Sequence, residues 1–178
     1  MKYKIKHAFT FIIILFATTF FVFRIFCKKD TSRQCTHISQ RHDKHPKQYF
    51  ATTKSSDAVT RCGPGTEYDI LFRYSLKNTP LLVVDSHENW RLVVDFYGEE
   101  SWIHVSLIST RNQYAMCRED GLVYTKLNAK SKTLCRIQKY TIVHVVKTNP
   151  YMCRIEFTHS GKKYKGYIET QNLFGVYP

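Results

Sequence analysis

The sequence predicts an all-β protein, two small tandem barrels placed after an N-terminal signal or anchor segment. Three observations predict it. Short alternating stretches follow one another from residue 55 onward, cut by turn residues. Aromatics make up 15% of the 178 residues, with twelve Tyr and twelve Phe, and such side chains favour strands over helices. The block after residue 110 echoes the block before it at a period of about 65 residues. With 43% apolar residues, seven Gly and five Pro, the composition is that of an ordinary folded chain.

Taken in order, the chain starts with Lys2, Lys4 and Lys6, then runs without a charge from Ala8 to Phe23. The run extends to Cys27 if Arg24 snorkels to an interface. No clear small-x-small cleavage site follows, so residues 1–27 are either a cleaved signal peptide or an uncleaved transmembrane anchor. Both imply export, to the periplasm or cell envelope, with the anchor holding the protein at the inner membrane. Residues 28–54 are polar and basic with no sustained period, as expected of a flexible tether. Cys35, His37, His42 and His45 fall here, but their spacing matches no zinc signature, so no metal site is expected.

Beyond the tether, Ala58–Arg61, Ile70–Tyr74, Leu81–Asp85, Trp90–Phe96 and Glu100–His104 each read as a short strand. The turn Gly63-Pro64-Gly65 is stiffened by proline and flanked by glycines that can enter left-handed conformations. No convincing amphipathic helix occurs after residue 28. In the second block, Ile142–Val146 matches Leu81–Val84, and Tyr151–Ile155 matches Asn89–Val93. Gly166–Ile168 matches Ser101–Ile103, and Gln171–Leu173 matches Val105–Leu107. A longer hairpin at His159–Lys163 replaces the tight Tyr97-Gly98 turn. A barrel of about 60 residues is marginal alone, so two packed together make physical sense.

Charge is unevenly spread. Residues 1–50 carry 10 basic and 2 acidic side chains, residues 51–110 carry 5 and 8, and residues 111–178 carry 12 and 4. Either the two folded blocks face one another, or a basic surface meets an anionic partner.

Residues 57–110 resemble a bacterial SH3-like domain: the turn Arg61-x-Gly63-Pro64-Gly65-x-x-Tyr68, the Asn89-Trp90-Arg91 strand and the Trp102-Ile103-His104 strand carry the likeness. The two repeats and the ending Leu173–Pro178 resemble exported tandem SH3-like proteins of a proteobacterial group. The resemblance implies SH3-like barrels at 55–110 and 111–178. This sequence departs from the pattern at Cys62, Ser101, Met152 and Phe174, which weakens the case for a groove in the second repeat.

Six cysteines in an exported chain suggest oxidation. Cys135 and Cys153 sit at the ends of strands expected to be neighbours, and the resemblance also favours a bridge there. Closing that interval would contribute on the order of 3 kcal/mol. Cys62 with Cys117 is a second possible pair, and buried free thiols in a reducing compartment are the alternative to both.

For catalysis, Cys62 with His87 or His104 is the sole candidate pair in the folded part, and no separate catalytic domain has room. No enzymatic activity and no cofactor are expected. Lys162, Lys163 and Lys165 interleave with Tyr164 and Tyr167 as in single-strand binders, but export argues against nucleic acid. An SH3-like barrel presents a groove in which aromatics stack on extended peptide. Candidates are Tyr68, Tyr74, Trp90, Tyr97 and Trp102, with Asp69, Glu99 and Glu100 as a charged rim. Strand alternation also offers Trp90 and Trp102 a place in the core, whereas Tyr68 and Tyr97, next to turns, should be exposed. The expected function is non-enzymatic binding of peptide-like material in the envelope, either peptidoglycan peptide or a partner protein segment. The alternative is a scaffold whose second barrel covers the groove of the first.

Overall fold

The computed structural model describes residues 47–128, 130–159 and 161–177. The expected export segment and the Cys35, His37, His42, His45 set lie outside them. No helix among the described residues is long and apolar enough to cross a membrane. Both barrels fall within one compact unit.

Barrel one consists of β1 (Tyr49–Thr53), β2 (Ala58–Arg61), β3 (Ile70–Tyr74), β4 (Pro80–His87), β5 (Trp90–Val94), β6 (Glu100–His104), a 3-10 turn at Val105–Leu107, and β7 (Ile108–Ser109). Barrel two consists of β8 (Tyr114–Cys117), β9 (Gly121–Tyr124), β10 (Thr133–Ile137), β11 (Ile142–Lys147), β12 (Met152–His159), β13 (Lys162–Glu169), a 3-10 turn at Thr170–Asn172, and β14 (Leu173–Phe174). Each forms a seven-stranded antiparallel sheet, in the orders β3-β2-β6-β5-β4-β1-β7 and β10-β9-β13-β12-β11-β8-β14. The two orders are the same once the strands are renumbered. The internal repeat read from sequence is therefore a repeat of topology.

Alternation along each strand sends every second residue inward. In barrel one Ala51, Ala58, Leu81, Val83, Val93 and Ile103 form the core. In barrel two Ala115, Val123, Val143, Ile155, Ile168 and Leu173 do so.

Four expectations need correction. The tether does not extend to residue 54, because Tyr49–Thr53 is a strand that pairs with both β4 and β7. Its short Tyr-Phe-Ala-Thr-Thr run carries no period of its own, and only partners distant in sequence make it a strand. The glycines of the Gly63-Pro64-Gly65 turn do not take left-handed backbone, since the positive-φ glycines are Gly98, Gly161 and Gly175. Close approach explains them better. A Cβ at Gly63 would lie 2.3 Å from the Tyr68 ring, and one at Gly65 would lie 2.1 Å from the Glu67 carboxylate.

The bridge between Cys135 and Cys153 is not formed, and both are free thiols, as is Cys117. Strands β10 and β12 are not neighbours, because β9 and β13 lie between them. Cys62 is disulfide-bonded, and Cys117 is a free thiol, so the Cys62–Cys117 pairing is not formed either.

Finally, the barrels do not meet through their opposite charges. Among the described residues every ion pair stays within one barrel: Arg73–Asp57, Arg136–Asp120 and Lys165–Glu156. The seam is aromatic. Phe50 of β1 packs on Phe174 at 5.3 Å and on Tyr177 at 4.9 Å. Phe96 packs on Tyr140 at 5.3 Å and Phe174 at 5.7 Å. Each such pair contributes on the order of 1 kcal/mol beyond its buried area. Tyr140 sits at φ 67°, a left-handed conformation that costs a bulky residue about 1–3 kcal/mol. Its contacts with Phe96 and with Tyr97 at 5.9 Å offset that strain.

Two buried acids give the fold a pH limit. Burial, helped by the Asp95 carboxylate, pushes the Tyr74 hydroxyl above its ordinary 10.0. The Ser101 hydroxyl opposes this weakly, yet neither oxygen reaches hydrogen-bond geometry. Burial also pushes the Cys117 thiol from 9.0 up to about 12. Both groups are neutral when protonated, so the folded state holds these protons more tightly than the unfolded chain. Their stabilisation is complete below the unfolded values and is lost as pH rises above them. The melting temperature should therefore fall as pH is raised from about 9 towards 12. Thermal unfolding of the double variant Cys117→Ala, Tyr74→Phe should show a shallower decline. An identical decline in the variant would contradict this assignment.

Candidate ligand-binding groove

The sequence places Arg61 and Trp90 on strands that end at the same edge of barrel one. Along β2, Ala58 and Thr60 turn inward and are buried, so Val59 and Arg61 face out. β2 pairs with β6, and Trp90 at the start of β5 pairs with His104 at the end of β6. This arrangement opens a groove of about 290 Å³ whose floor is Val59, Ile70, Trp90 and Leu107, with Arg61, Arg73, Thr66 and His104 around it. None of the described residues that line it belongs to barrel two.

Each wall is held in place. Arg61 Nη1 donates to the Tyr68 carbonyl at 2.6 Å, and the Cys62 amide donates to the Asp69 carbonyl at 3.1 Å. These bonds tie the first loop to β2. Arg73 is held by both oxygens of Asp57 at 3.0 and 3.1 Å. The His104 ring meets the Trp90 ring edge-on at 5.4 Å. His104 Nδ1 accepts from the Ser106 amide at 3.3 Å and lies 2.7 Å from the Ser106 hydroxyl. In the neutral ring this puts the proton on Nε2, leaving a donor for a ligand.

No carboxylate is among the described residues that line the groove, whose lining is an apolar, aromatic floor beside two guanidiniums and an imidazole N–H. A guanidinium can match a carboxylate in two parallel hydrogen bonds, and Arg73 Nη1 is already shared between the two oxygens of Asp57.

The structure divides the residues singled out from sequence. Trp90 is half-buried in the groove. Tyr68 and Asp69 sit on the loop beside it, Tyr68 being 40% exposed with its ring against Gly63. Trp102, 8% exposed, belongs to the core, and Tyr74 packs against the core with its ring edge-on to Phe72. Tyr97 and Glu99 lie at the other end of the β5–β6 hairpin, roughly 15 Å along the strands from Trp90. There Tyr97, 69% exposed, meets Phe96 and Tyr140 at the seam. Its turn is built on Asp95, whose Oδ1 accepts from the amides of Tyr97 at 2.8 Å and Glu99 at 3.0 Å. Of the described residues lining the groove, only Trp90 was named as a groove residue, and Val59, Arg61, Thr66, Ile70, Arg73, His104 and Leu107 were missed. The signal for Arg61 and His104 was present, in the parity of Ala58 and Thr60 and in the pairing expected between the two tryptophan-bearing strands.

No curated protein matches the chain. Two solved structures from Trichomonas vaginalis, of NlpC2 and NlpC1, are similar at 15% and 14% identity with TM-scores of 0.32 and 0.31. They cover 74% and 75% of this chain, which spans 49% and 47% of their lengths, about half. Residues 54–110, which are barrel one without its first strand, match the family model of the bacterial SH3 domain.

Proposed function

We propose that the protein is a non-enzymatic binding module of the cell envelope that holds a carboxylate-bearing peptide, the stem peptide of peptidoglycan, in the groove of barrel one. The observation that carries this reading is the pairing of the Trp90 floor with Arg61, Arg73 and His104 in a groove with no acid among its described lining residues. A stem peptide offers an extended backbone and free carboxylates, which suit that lining. The match of residues 54–110 to the bacterial SH3 domain supports it. A non-enzymatic role is supported by Cys62, the one candidate nucleophile named beside His104, being disulfide-bonded, since a thiolate is what nucleophilic attack needs. The disulfide also supports export.

Co-sedimentation of the full chain with purified peptidoglycan tests the proposal. Binding at low salt is expected, weakening as salt screens the arginines. It should be lost in Trp90→Ala and kept in Tyr151→Ala, a change in the other barrel. No binding at low salt, or equal loss in both variants, would contradict it.

A further inference from the structure

One end of barrel two concentrates positive charge that the ion pairs among the described residues offset only in part. Between Tyr124 and Arg136 there are four basic residues and no acid, and between Phe157 and Ile168 three and none. The register brings the two segments together. Tyr124 pairs with Tyr167, and His159 with Lys162 at the hairpin tip. Strand β9 therefore runs antiparallel to β13, and the loop that follows Tyr124 rises beside that tip. Arg136 is neutralised by Asp120 at 3.3 Å and Lys165 by Glu156 at 2.8 Å. Lys126, Lys130, Lys132, Lys162 and Lys163 are exposed and have no acid on either segment.

The loop is built rather than slack. Thr125 and Lys132 close it, the Thr125 amide donating to the Lys132 carbonyl at 3.0 Å. The Lys130 amide donates to Asn128 Oδ1 at 2.8 Å, and the Lys126 amide to Ser131 Oγ at 3.3 Å. At its apex Leu127 stands 56% exposed among lysines. Below the hairpin a cavity of about 410 Å³ is lined by Leu134, Arg136, Phe157, His159 and Tyr164. The long hairpin that makes one of its walls has no counterpart at the tight Tyr97-Gly98 turn of barrel one.

We propose that this end of barrel two docks on the phosphate headgroups of an anionic lipid bilayer, with Leu127 entering the interface and the five lysines facing the phosphates. An exposed apolar side chain on a lysine-bearing loop, beside a hairpin that carries two more exposed lysines, suits a bilayer surface, where headgroup charge and acyl boundary adjoin. Single-stranded nucleic acid fits less well, because one face of Tyr164 is already stacked on Phe157 at 5.5 Å and is closed to a base. The surface is separate from the groove of barrel one and does not depend on it.

The full chain carrying Leu127→Trp, mixed with vesicles, tests this locally, so that the N-terminal apolar run does not confound the result. With vesicles one third phosphatidylglycerol in phosphatidylcholine, its emission should move to the blue relative to the unsubstituted chain. Pure phosphatidylcholine vesicles should produce no such movement. Adding Lys162→Glu and Lys163→Glu should weaken the response by ~10-fold or more, with an unchanged melting temperature because both side chains are exposed. In the unsubstituted chain, anionic vesicles should also protect Lys126, Lys162 and Lys163 from reductive methylation. No blue shift and no protection, an equal response to uncharged vesicles, or protection by a single-stranded oligonucleotide alone would each overturn the proposal.

Discussion

Gly175→Ala is expected to lower the melting temperature by ~10 °C, a loss on the order of 3 kcal/mol. The residue sits at φ 116°, backbone that L side chains rarely adopt. A Cβ there would also lie 2.6 Å from the Tyr114 carbonyl oxygen and 2.9 Å from Pro80 Cβ. The first of these is backbone of β8 and the second belongs to β4, so the neighbour cannot swing aside as a flexible side chain would. The substitution thus strains the chain and wedges open the seam where Phe174 meets Phe50 and Phe96. Gly98 is the control. It too has positive φ, at 84°, but a Cβ there meets nothing within 4 Å. Gly98→Ala should cost only the backbone term, about 1 kcal/mol. Thermal unfolding of both variants separates strain from collision. Equal effects would show that the seam yields, contrary to the packing described.

The second large effect falls on binding. Trp90→Ala should weaken affinity for a stem peptide by ~30-fold, the loss of about 2 kcal/mol typical of a central aromatic anchor. Arg73→Gln should weaken it by ~5-fold, and more at low salt than at high. Arg73 is the cleaner charge probe. Its pair with Asp57 is exposed on both sides, 51% and 71%, so breaking it should cost little stability. Arg61 also holds the first loop through the Tyr68 carbonyl, and its replacement would mix binding with loop order. Titration calorimetry on the full chain, beside melting curves, reads the two effects apart. An affinity unchanged in Trp90→Ala would remove the groove from the account.

Much of this architecture was legible in the sequence, because alternation and turn residues act locally. Ala58–Arg61, Ile70–Tyr74 and Glu100–His104 follow from their own patterns, and the shared strand order of the barrels follows from the repeat. What stayed hidden depended on partners far along the chain. Tyr49–Thr53 looks like the end of a tether until β4 and β7 supply its hydrogen bonds. Tyr97 looks like a groove aromatic until Tyr140 arrives from the other barrel. Cys135 and Cys153 look like a pair until the strand order places two strands between them. The groove itself was half legible: its aromatic anchor was named, Arg61 was quoted only as motif and Arg73 not at all, and of the expected acidic rim Asp69 lies on the loop beside the groove while Glu99 lies at the far end of the hairpin.

Two tryptophans divide the molecule conveniently, Trp90 in the groove and Trp102 in the core. The most direct test is a nuclear magnetic resonance titration of the full chain with a soluble stem-peptide fragment, following both indole N–H signals. The Trp90 signal should move to saturation while that of Trp102, 8% exposed, stays in place. A saturating titration in which neither indole moves, or in which only barrel-two residues such as Tyr151 respond, would contradict the assignment of the groove.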